Sequence, residues 1–204
     1  MHLKEFCVAI HGVDMVLIPY PEVFIEKVMK IDIHSHHLLV KPGQKEVLAI
    51  EASFSNDFQA TLARYGESVF LSVGIHPWSA SLWDLNAIPF LLDVFLDSKV
   101  HLIGEIGLDK VSSVPFETQL LVFKTQLEMA EKAKKPVLLH AVRSMSEIIE
   151  IKKHFPAIPL WIIHGFRGGK QAAEEYIKNG FYFFIKFPSF VYQSPRIFPS
   201  PFTT

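Results

Sequence analysis

Seven short apolar runs, separated by segments of helical character, constrain this 204-residue chain more than any other feature. They fall at 31–33, 47–52, 69–74, 100–106, 136–139, 160–163 and 181–185. Several are apolar throughout instead of alternating, which is how strands read when both faces of a parallel sheet are covered. The clearest helix is 117–135, where Leu120, Phe123, Leu127 and Ala130 recur at helical spacing. Glu117 lies near its start, Lys132, Lys134 and Lys135 crowd its end, and Pro136 stops it. Residues 144–154 and 169–178 read as further helices, the second closed by Asn179-Gly180, and 81–97 reads as helical on either side of Pro89. Strand and helix in alternation build right-handed βαβ units. The expected fold is therefore α/β and TIM-barrel-like, a (β/α)8 architecture with seven strands in hand and the eighth missing.

The two ends read differently. Residues 1–30 form an N-terminal extension whose apolar residues follow no clear period. Pro19 and Pro21 interrupt any helix there, and 22–30 has the pattern of a short one. A functional arm and a stretch upstream of the true start are both open readings. The barrel domain is expected over 31–186. Beyond it, 187–204 carries Pro188, Pro195, Pro199 and Pro201 and reads as an irregular tail, since proline this dense cannot enter a central strand.

Half of the residues are hydrophobic, 18 of them Phe, which suffices for a sizeable core. The net charge of −1 supplies no general field for nucleic acid, so polyanion binding would need a local site or bound cations. A single cysteine, Cys7, excludes an internal disulfide and fits a reducing compartment. The apolar stretch 6–20 is interrupted by His11 and Asp14, too short for a bilayer and without a cleavage site. Cytoplasmic localisation is expected, with no membrane association and no obligate protein partner.

Chemistry concentrates where the apolar runs end. The first ends in His34 and His36, which share a face because strand side chains alternate. The run at 69–74 leads to His76, and 100–104 to Glu105. The fifth run ends at His140, with Arg143 just after, and the sixth at His164, followed by Arg167. Any one of these has a plain structural reading: a hydrogen-bonded core histidine, a helix cap, a turn. Their repetition at the same end of successive strands does not, because parallel α/β folds gather those ends on one face. Imidazoles with one carboxylate can hold one or two divalent ions, and a bridging Glu105 would help lower the pKa of a bound water. Arg143, Arg167 and His76 are placed to meet an anionic group such as a phosphodiester.

These residues resemble the TatD family of metal-dependent hydrolases, a branch of the amidohydrolase-like barrels. The motifs that carry the resemblance are I-D-I-H-S-H (31–36), G-I-H-P-W (74–78), G-E-I-G-L-D (104–109), P-V-L-L-H-A-V-R (136–143) and I-H-G-F-R-G (163–168). They follow the family's order across roughly 31–185. The resemblance implies a metal site of His34, His36, Glu105, His140 and His164, with Glu105 also catalytic and His76 and Arg143 binding substrate. It implies one or two divalent ions (Mg, Mn or Zn) as cofactor and DNA, or RNA, as substrate for phosphodiester hydrolysis by metal-activated water.

One departure counts against full activity. The family closes its barrel with a strand ending in Thr-Asp, whose Asp is a metal ligand, yet no Asp follows Asp109 here and the last acidic residue is Glu175. A C-terminally truncated or frameshifted chain is expected, marginally stable and with much reduced turnover. Two other readings stay open: a different amidohydrolase-like barrel, and a catalytically inactive remnant.

Overall fold

The computed structural model describes residues 6–10, 13–17, 31–35, 45–51, 69–84, 86 and 88–184, with side chains for 71–84, 86 and 88–183. Its main body is one seven-stranded sheet. The strands are β3 (Ile31–Ser35), β4 (Lys45–Glu51), β5 (Val69–Gly74), β6 (Val100–Asp109), β7 (Val137–Val142), β8 (Trp161–His164) and β9 (Tyr182–Phe184). Each bonds to its successor in the chain, and every pairing is parallel. All seven apolar runs are thus strands. The segments 22–30 and 187–204 lie outside the described residues.

A separate antiparallel hairpin precedes the sheet, β1 (Phe6–Ile10) paired with β2 (Val13–Leu17) in the register Phe6↔Leu17 to Ile10↔Val13. Sequence reading found no period in this extension. Strands five residues long without apolar–polar alternation give none to find.

Among the described residues four helices follow strands: α1 (Ile88–Leu96), α2 (Phe116–Ala133), α3 (Met145–Lys152) and α4 (Lys170–Lys178). A 3₁₀ turn spans Pro77–Leu82. The expected break around Pro89 resolves simply. Pro89 sits in the first turn of α1, where a missing N–H removes no helical bond. Helix α2 stops at Ala133, with Lys134 in a left-handed conformation (φ 52°).

Sheet and helices close on a continuous apolar core. Val73, Ile103, Ile106, Leu108, Val137 and Ile163 meet Phe95 from α1 and Phe123 and Leu127 from α2. Around β8, Trp161 stands edge-on to Phe181, and the Lys152 ammonium lies 5.9 Å and 5.5 Å from those two rings. This attraction adds to the burial of two large aromatic surfaces.

Strand β6 runs three residues beyond its predicted end at 106, through Gly107 to Asp109. Its two glycines permit this by letting β7 come close. A Cβ on Gly104 would lie 2.5 Å from the Leu138 carbonyl oxygen, and one on Gly107 (φ +144°) only 2.0 Å from that of His140. The ladder shifts register between Ile103 and Ile106, and the Gly104–Glu105 peptide is cis.

Candidate metal centre

Because all seven strands run parallel, their C-terminal ends share one face, where connecting loops build a site. Three predicted residues converge there: His76 after β5, Glu105 within β6 and His140 within β7. One ligand atom from each lies within 4.8 Å of the others. The His76 and His140 rings meet edge to face at 4.4 Å, and His140 Nδ1 stands 3.8 Å from Glu105 Oε1. Two imidazoles and a carboxylate suit a divalent first-row cation, so the donor set fits the implied cofactor.

The remaining predicted residues are placed less fully. His164 ends β8 on the same face but outside this cluster. His34 is the fourth residue of β3; its side chain, and the whole of His36, lie outside the described residues. His76, expected on the substrate side, sits among the ligand groups. Arg143 is exposed immediately after β7 at φ +51°, and Arg167 is exposed after β8. The Arg143 turn is tied down by its neighbour, since Ser144 Oγ donates to the Leu108 carbonyl at 2.9 Å.

Asp109 is the residue that sequence reading passed over. It ends β6 with only 4% of its surface exposed. Its Oδ2 lies 3.0 Å from His140 Nε2 and accepts from Trp78 Nε1 at 2.8 Å, while Oδ1 accepts from the Val111 amide at 2.8 Å. Burial raises its pKa, but the hydrogen bonds from Trp78, Val111 and His140 outweigh it and hold the carboxyl below the ordinary range. An ionised carboxylate only accepts, so His140 donates through Nε2. That leaves Nδ1, on the Glu105 side, to take a cation. Burial lowers the His140 pKa, yet the Glu105 and Asp109 carboxylates prevail and hold the ring above the usual imidazole range.

Two buried glutamines on α2, seven residues apart, brace this arrangement. The Gln126 amide accepts from Ile75 N at 2.7 Å and donates to Ile75 O at 3.1 Å, fixing the loop that carries His76. The Gln119 amide accepts from Asp109 N at 2.8 Å and donates to Asp109 O at 3.0 Å and Val114 O at 2.8 Å. The available signal was polar side chains interleaved with the apolar stripe of Phe123, Leu127 and Ala130. Such residues are buried only when they are bonded.

Asp109→Asn tests the brace on His140. Asparagine has one acceptor oxygen in place of two, so it cannot serve both the His140–Trp78 pair and the Val111 amide, and it removes the negative charge that supports the His140 imidazole. Losing such support costs about 10–100-fold in metal affinity or activity. A metal-binding isotherm within threefold of the parent would show that Asp109 only fills space.

Comparison with known proteins agrees with this picture. The model of the TatD related DNase family matches residues 30–193. An uncharacterised metal-dependent hydrolase, YjjV, of Escherichia coli K12 is 28% identical over 123 residues, covering 59% of this chain and 48% of that protein. A 3'-5' ssDNA/RNA exonuclease TatD of Cronobacter sakazakii is 31% identical over 123 residues, covering 59% and 46%. The crystal structure of the TatD homologue YjjV from E. coli superposes with a TM-score of 0.62 at 26% identity, over 69% of this chain and 56% of that one. The chain spans about half the length of the curated relatives it matches. Its matched span and its parallel barrel-like sheet agree, and the chain belongs to the family of TatD related DNases.

Proposed function

We propose that this chain hydrolyses phosphodiester bonds in single-stranded nucleic acid at a divalent-metal centre. The observation that carries the reading is the convergence of His76, Glu105 and His140 at one strand-end face, with Asp109 fixing the tautomer of His140. Glu105 and His140 would hold the cation, joined by His76. His34 of β3 and His164, which ends β8 on the same face, would complete its sphere together with His36, the residue that follows β3 in sequence. A bound divalent ion supplies a water of lowered pKa and a Lewis acid for the phosphoryl oxygen. The chain's own groups do the rest. Glu105 would serve as the catalytic carboxylate, and Arg143, exposed just after β7, would receive a phosphate. Relatives named 3'-5' ssDNA/RNA exonuclease support a nucleic-acid substrate.

The test is end-labelled single-stranded DNA and RNA incubated with protein stripped of metal, then resupplied with Mg, Mn or Zn. Shortened products that appear only with metal support the reading. No cleavage with any ion, together with no ion uptake, overturns it.

A further inference from the structure

Beside the metal cluster lies an open cleft of about 380 Å³, lined by Trp78, Asp109, Val111, Ser112 and Ser113. Two of its walls are apolar side chains left in water: Trp78 is 62% exposed and Val111 61%. Tryptophan is highly buried on average.

Trp78 is exposed but not loose. Its Nε1 donates to Asp109 at 2.8 Å, and its backbone N–H donates to His76 Nδ1 at 3.3 Å. Its ring meets His76 and His140 edge to face at 4.8 Å and 5.7 Å. Pro77 before it opens the 3₁₀ turn and stiffens the backbone. A flat apolar ring held in place already has lost its rotamer freedom, so a ligand that stacks on it repays little ordering cost.

We infer that Trp78 is the stacking platform for the nucleobase of the nucleotide whose phosphate lies at the metal cluster. The inference rests on the phosphodiesterase reading above and names where the substrate's base goes. Trp78 and His140 hydrogen-bond the same Asp109 oxygen, so platform and cluster are one carboxylate apart. Val111 adds an apolar side chain to the same lining, and the Ser112 and Ser113 hydroxyls suit the polar edge of a base or sugar. Stacking is indifferent to which base it meets. A base seated here has left any duplex, so the site selects unpaired ends and tolerates sequence.

The experiment uses two single-stranded phosphorothioate oligonucleotides, which resist cleavage, identical except that one ends in an abasic 3' nucleotide. Affinities are read by fluorescence anisotropy in Mn-containing buffer for the full chain, W78F and W78L, with circular dichroism confirming that each variant is folded. The parent is expected to favour the base-bearing strand by roughly 5- to 150-fold, the worth of one stacked base. W78L is expected to bring that preference close to one, and W78F, which keeps a flat ring, to retain a part of it. Stacking should also quench indole emission in the parent but not in W78F, which keeps Trp83 and the buried Trp161. Equal affinity of the parent for both strands overturns the inference and leaves the phosphodiesterase reading standing, as does an undiminished preference in W78L. If the parent binds neither strand while taking up Mn, the phosphodiesterase reading fails and the platform falls with it. The base-versus-abasic comparison on the parent needs no variant, so misfolding of either substitution cannot decide the matter.

Discussion

Gly107→Ala is expected to lower folding stability by on the order of 3–5 kcal/mol and to abolish metal binding with it. Two costs add. The residue sits at φ +144°, a conformation that L side chains rarely adopt, and the new methyl would stand 2.0 Å from the His140 carbonyl oxygen. That oxygen belongs to backbone and has no rotamer to escape into, so β6 and β7 must part. They are the two strands that carry Glu105 and His140. Gly165→Ala is the natural control: its φ of +59° is also left-handed, but nothing lies within 4 Å of the added carbon. It should cost only about 1–2 kcal/mol. Urea denaturation of both variants beside the parent measures the difference. Equal midpoints for the two would show that strand contact at Gly107 is unimportant.

Glu105→Gln is expected to leave the fold intact and to weaken divalent-metal affinity by more than about 100-fold, beyond what loss of a merely supporting bond costs. Glutamine keeps the shape of the side chain and removes its charge. Among the described residues the cluster then keeps two imidazoles and no carboxylate, with Asp109 already committed to His140 and Trp78. Neutral ligands alone hold a hard cation poorly. The His140 ring also loses one of the two carboxylates that raise its pKa, which gives a second readout by NMR: the imidazole should titrate at lower pH than in the parent. Stoichiometric Mn or Zn retained by E105Q after dialysis would remove Glu105 from the ligand set.

What could be read in advance, and what could not, follows from how each signal is written. The strands were legible because stretches such as 71–74 and 160–163 are buried and carry almost no polar residue. His76, Glu105 and His140 were legible because they repeat one chemistry at one strand end after another. Asp109 was not, although its motif had been quoted. A residue two beyond a glycine looks like a loop, and only the close approach of β7 at Gly107 keeps it in the sheet. Gln119 and Gln126 were hidden for a related reason, since a helical period counts apolar positions and skips polar ones among them. The β1–β2 hairpin gave no alternation to detect. The packing of His76 could not be foreseen either: its ring meets His140 edge to face, beside Glu105.

The paired glutamines of α2 have a consequence for how this site can change. Each side-chain amide offers one donor and one acceptor to the N–H and C=O of a single residue, Ile75 in one case and Asp109 in the other. That is the bonding a neighbouring strand would give, delivered from a helix. The loops bearing the reactive groups therefore take their positions from a scaffold behind them, and their outward residues are at liberty to vary. Evolution, or an engineer, can retune what enters the mouth at Val111, Ser112 and Ser113 without disturbing the alignment of the groups beneath.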